Sequence, residues 1–150
     1  MDATCALHAH NLTLKNPVTQ LLGEGELTER NALQLLHSAY NLQSGGGGGM
    51  EMQEFVGVYM ALFNEKWRNI TCPVMTRWYT VGLAADKVWK EWDRMIVLAK
   101  KIRQSYSAES APNKCASTLT SLLAEPALKT HVAFIKGYHE EWWNRHFLWL

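Results

Sequence analysis

Apolar residues along this chain recur every three to four positions, the period of an amphipathic helix, and no sustained two-residue alternation interrupts them. The spacing predicts a first helix from about Thr4 to Lys15, ending before Asn16-Pro17, where proline disfavours helix at the preceding residue. A polar loop with Gly23 and Gly25 comes next. Thr28 is then a suitable N-cap for a helix to about Leu42, with two apolar stripes: Leu33, Leu36, Tyr40 and Leu35, Ala39, Leu42. A third helix is expected over about Glu51 to Trp67, with Phe55, Val58, Tyr59, Leu62 and Phe63 inward, and a loop pinned by Pro73 runs from Arg68 to Met75.

The clearest pattern lies beyond that loop. Val81, Ala85, Val88, Trp92, Met95, Ala99, Ile102 and Tyr106 step by 4, 3, 4, 3, 4, 3, 4, which keeps one seam along a helix of several turns. A Ser/Ala/Pro-rich stretch around Ser107 to Pro112 ends it. A short helix from about Asn113 to Leu123 leads to Pro126, well placed in the first turn of a last helix. That helix should bury Leu128, Val132, Ile135, Tyr138, Trp142 and Trp149. The expected fold is all-α, a bundle of five or six helices packing as one domain.

Three parts are expected along the chain: a helical hairpin over 1–43, a Gly-rich linker over 44–49, and a helical region over 50–150. The linker, Ser44 and five glycines, has the composition of a flexible tether. Either a native low-complexity loop or an engineered splice accounts for it. No Lys-Ser/Thr pair comes after it to make it a phosphate loop. The chain stops at Leu150 amid aromatic residues without a polar tail, so it is expected to be part of a larger protein.

Composition narrows the function classes. With 47% hydrophobic residues the chain has enough apolar surface for a packed core. Its formal charge of +1 does not advertise a nucleic-acid binder, so such a role has to rest on local charge. Three widely spaced cysteines without a CxxC pair suggest neither a disulfide framework nor a zinc ribbon. Neither a secretory leader nor a membrane-spanning run is recognisable, which leads to the expectation of a soluble intracellular protein without membrane contact.

Four constellations are candidates for chemistry. Cys5 and His8 fall on one helical face and could both reach a metal, but a structural zinc needs four ligands. His37, Cys72 or His139 would have to be recruited, and a buried cysteine beside a hydrogen-bonded histidine is the plainer reading. Thr76-Arg77-Trp78-Tyr79 puts a guanidinium and an indole at a helix N-terminus, where an anion and a planar ring could be held together. The plainer reading has Thr76 capping, Arg77 solvated and Trp78 packed. Lys87, Lys90, Arg94 and Lys101 share one side of the long helix and could track phosphates, although Asp86, Glu91 and Asp93 interleave with them. Finally, His139 to His146 lacks the spacing of a zinc-protease helix and reads as a charged outer face. No nucleophile elbow, dinucleotide fingerprint or two-metal cluster is recognisable, and no metal or cofactor is implied.

Two of these blocks carry a resemblance. Cys5-x-x-His8 with Asn11-Leu12-x-Leu14 after it resembles the C-x-x-H-x-x-N-L segment of hAT-like transposases, DNA cut-and-paste enzymes with an RNase H-like core. Pro73-Val74-Met75-Thr76-Arg77-Trp78 resembles the P-x-x-T-R-W block that opens their helical insertion domain. The stretches from Ala32 to Tyr40 and from Asn113 to Leu122 also look like transposon-derived reading frames.

The resemblance implies that Cys5 and His8 support a catalytic core and that Arg77 and Trp78 handle DNA, the indole stacking on a flipped-out nucleotide. Lys87, Lys90 and Arg94 would add phosphate contacts. It implies no catalytic residue in this chain, because none of its acidic residues matches the family's metal-binding triad. The resulting expectation is a non-enzymatic, nuclear, transposase-derived piece that helps position DNA ends, possible homo-oligomer formation included. The other reading is a protein–protein interaction or scaffold module without DNA binding. An exposed Trp78 beside Arg77 would favour the first.

Overall fold

A computed structural model describes residues 31–44, 50–74 and 76–146, with Ala9 and Lys15; for His146 only the backbone is described. The expected first helix with Cys5 and His8, the Thr28 cap and the run Gly45–Gly49 lie outside the described residues. Those residues form six helices and no strand beyond one isolated bridge between Val74 and Arg77. The helices are α1 (Ala32–Ser44), α2 (Met52–Phe63), α3 (Trp78–Lys90), α4 (Trp92–Ser105), α5 (Ala111–Leu123) and α6 (Pro126–His146). The all-α expectation holds.

Helix α1 occupies the centre because it is apolar on two sides. Leu33, Leu35, Leu36, Ala39 and Leu42 are all buried, and the helix packs against α2, α3, α5 and α6. Its start is set by Asn31, whose Oδ1 accepts the Gln34 N–H at 3.0 Å. Around it, α3 lies along α6, and α4 along α5. Helix α2 is peripheral: only Phe55 and Tyr59 are fully inward, while Val58, Leu62 and Phe63 are half-buried against the core.

Two boundaries differ from the sequence pattern. Helix α2 stops at Phe63, not near Trp67, because Asn64 takes a left-handed conformation (φ 52°) while its N–H bonds to Met60 O at 2.8 Å. Trp67 therefore sits in a loop, yet it is buried edge-on against Phe55 and Tyr59. The long seam is likewise divided into α3 and α4 at Glu91 (φ −99°, ψ 10°). The 3–4 spacing continues through this turn, since Met95 N–H still bonds to Glu91 O at 2.8 Å, and the seam residues Val81, Ala85, Val88, Trp92, Met95, Ala99 and Ile102 are buried. A seam reports which side is buried; it does not report whether the backbone carrying it changes direction.

The remaining caps reflect local chemistry. Ser110 accepts the Asn113 N–H at 3.4 Å to open α5, and Pro126 opens α6. The Asn113 side chain donates to the carbonyls of Arg103 and Tyr106, both at 2.9 Å, and so closes the C-terminal end of α4.

Candidate binding surfaces

The loop between α2 and α3 is built around Gln43, a polar side chain only 1% exposed at the end of α1. Its Oε1 accepts the Trp67 indole N–H at 2.8 Å and the Ile70 N–H at 2.9 Å, and its Nε2 donates to Ile70 O at 2.9 Å. One amide thus satisfies three buried groups of a segment that has no helix of its own. Further along, the His37 imidazole hydrogen-bonds the Pro73 carbonyl, while burial pushes its pKa down. Both contacts tie the loop to α1.

The loop ends in a turn at the Thr-Arg-Trp block. Arg77 N–H bonds to Val74 O at 2.8 Å. Thr80, one turn into α3, accepts the Val74 N–H at 2.8 Å and donates to Arg77 O at 2.6 Å. Arg77 itself is the N-cap and provides no side-chain cap bond, so Thr80, not Thr76, fixes the start of the helix. Arg77, in a non-helical conformation (φ −129°, ψ 71°) outside the helix, faces solvent, while Trp78, the first helical residue, turns inward, 6% exposed within the main core. The expected exposed indole beside the guanidinium is not found: the two side chains diverge, and the indole offers no free face for stacking.

The basic residues singled out on the seam's outer side have internal partners. Lys87 pairs with Glu91 at 3.3 Å and lies over the Trp67 ring, 4.5 Å from its centroid. Lys90 pairs with Asp86 at 2.9 Å. Arg94 grips Glu65 through two bonds, 2.6 and 3.1 Å, and donates to Tyr59 Oη at 2.9 Å. The Tyr59 hydroxyl in turn donates to Glu91 Oε2 at 2.8 Å. The Glu65 carboxyl is held below its ordinary pKa by the hydrogen bonds and charge of Arg94. Burial is the main cause of the raised Tyr59 pKa. This chain of contacts fastens α2 and the loop after it to the α3–α4 junction, and it leaves the three cations partly neutralised. Lys101 differs: it is exposed, next to Lys100, and no carboxylate reaches it among the described residues.

The His139 region divides by face. Glu140 and Glu141 are exposed and pair with Lys136 and Arg145 along α6, as a charged outer surface should. His139 points the other way, 6% exposed and packed onto Gly82 of α3, where an added Cβ would sit 2.7 Å from the His139 Cβ. Glycine at this position lets α3 and α6 approach closely. Burial lowers the His139 pKa, against the opposing charges of Asp86 and Glu140. Helical spacing alone gave no sign of this contact; an isolated glycine inside a helix pattern was the available signal.

Cys5 and His8 fall outside the described residues. Cys115 is half-buried beside Ser38 O at 3.6 Å, and burial pushes its thiol up to about 11, which makes it a packing residue. Among the described residues no three His, Cys, Asp or Glu side chains converge to hold a metal ion, and no helix is long and apolar enough to cross a membrane. No protein-family model, curated protein or solved structure matches this chain.

Proposed function

We propose that this chain is a helical interaction module, transposase-derived by the resemblance of its Cys-x-x-His and Thr-Arg-Trp blocks, that works by contact with protein and carries no catalysis of its own. The observation that carries this reading is the fate of the residues singled out for DNA. Trp78 is in the core, and Lys87, Lys90 and Arg94 each hold an internal carboxylate. An indole in the core offers no stacking face, and cations already paired with carboxylates have less charge left for a phosphate backbone. The same residues in a DNA-handling surface would stand free.

Positioning of DNA ends is the second reading, and one observation favours it: Arg77 stays exposed at the N-terminus of α3. In that reading the module acts in the nucleus within a larger transposase and meets DNA through Arg77 instead of the indole. Binding to a DNA hairpin at two salt concentrations, by the wild type and Arg77→Ala, separates the two. The interaction reading predicts no hairpin binding by the folded wild type at moderate salt. Salt-sensitive binding that Arg77→Ala abolishes would place the DNA reading first.

A further inference from the structure

The outward face of α4 carries two adjacent exposed aliphatic side chains beside three cations that no carboxylate reaches among the described residues. Ile96 is 41% exposed and Val97 48%. At about 100° per residue, Arg103, Ile96, Lys100, Gln104, Val97 and Lys101 fall within an arc of about 160°, the side opposite buried Met95, Leu98 and Ile102. Lys87, Lys90, Arg94, Lys114, Lys136 and Arg145 each have a carboxylate within reach. Lys100, Lys101 and Arg103 have none among the described residues. Lys100, Arg103 and Gln104 also line a groove of about 430 Å³ that runs to Asn113 at the start of α5. A single acid, Asp93, lies on the same side at the N-terminal end.

We propose that this face docks an acidic amphipathic helix of a partner protein, an inference that rests on the interaction reading above. Leucine-type side chains of such a helix cover Ile96 and Val97. Its carboxylates, one or two turns along, meet Lys100, Lys101 and Arg103, and a basic residue at its other end meets Asp93. The arrangement fixes direction as well as affinity, because only one orientation pairs both ends. Charge selects this occupant over the others. A second copy of the chain on the same face would set three cations against three, with one acid from each side to offset them. A phosphate backbone would satisfy the cations and leave Ile96 and Val97 uncovered.

The test uses a fluorescently labelled synthetic helix of leucine, alanine and glutamate with one terminal lysine, and a scrambled peptide of the same composition. Anisotropy is measured for the wild type, for Lys100→Glu/Lys101→Glu/Arg103→Glu, and for Ile96→Ser/Val97→Ser. Circular dichroism confirms that each remains helical, as expected for substitutions on an exposed face. The expected result is binding of the amphipathic peptide at least about tenfold tighter than the scramble, weakened about tenfold or more by either variant. Equal binding of the scramble, or no binding by folded wild type, would overturn the proposal. So would tighter binding to duplex DNA or phosphatidylserine vesicles that the charge variant loses and the aliphatic variant keeps. Failure here without hairpin binding removes the α4 docking face alone; hairpin binding lost in Arg77→Ala removes the interaction reading itself.

Discussion

Replacing Gln43 by leucine should unfasten the α2–α3 loop while leaving the volume of the site nearly unchanged. The substitution removes one acceptor and one donor, and it strands three groups: the Trp67 indole N–H, the Ile70 N–H and the Ile70 carbonyl. Trp67 and Ile70 are 3% and 2% exposed, so water does not reach them without movement of the loop. An unsatisfied buried polar group costs roughly 1–3 kcal/mol, and loop relaxation keeps the total toward the lower end. Gln43→Leu should therefore lose about 3–5 kcal/mol in urea unfolding monitored by far-UV circular dichroism.

Gln43→Glu supplies the control. The introduced carboxyl accepts both N–H bonds but keeps the third, to Ile70 O, only while protonated. Its folded pKa is thus raised, and its cost relative to wild type should be small near pH 4 and grow as pH rises past about 4.3, the unfolded glutamate value. A loss below about 1 kcal/mol for the leucine variant, or a glutamate variant whose cost ignores pH, would refute the reasoning.

Two further outcomes concern the α3–α6 contact. Gly82→Ala adds about 1 kcal/mol of helix propensity but drives a methyl into the His139 ring, so a net loss of about 1–3 kcal/mol is expected in thermal or urea unfolding; a gain in stability would show that the helices can separate freely. His139 has its pKa lowered by burial, so the unfolded chain takes up the proton first. Its stabilising contribution is complete above the ordinary value of 6.5 and declines as pH falls from there toward the depressed folded value, with His37 acting in the same sense. Urea midpoints measured from pH 7.5 down to 5.5 should fall, less steeply in His139→Gln; identical slopes in the two proteins would contradict this.

The helices were legible because their burial is periodic. Both stripes of α1, the inward residues Phe55 and Tyr59 of α2 and the seam from Val81 to Ile102 all pack as the spacing indicated. Trp78 belongs to the same seam: 78, 81, 85 and 88 step by 3, 4, 3, so the indole continues the buried side. The adjacency of Arg77 and Trp78 in sequence suggested a joint surface, but the helix begins between them: Arg77 is its N-cap, and Trp78 joins residues three or four apart on the buried side. The Asp86–Lys90 and Lys87–Glu91 pairs have that local spacing. The Arg94–Glu65 and Gln43–Ile70 contacts join distant segments, and no period announces them. The same holds for the Asn64 stop, where a single left-handed residue overrides the helical propensity of Glu65, Lys66 and Trp67.

The central claim is that the Thr-Arg-Trp block serves folding through Trp78 and leaves Arg77 outside. Equilibrium urea unfolding of Trp78→Ala beside Arg77→Ala tests it most directly. Removing a buried tryptophan should cost about 3–5 kcal/mol, whereas truncating the solvated arginine should stay within about 0.5 kcal/mol. Equal and small losses in the two variants would contradict the claim, because they would mean that the fold does not depend on the indole.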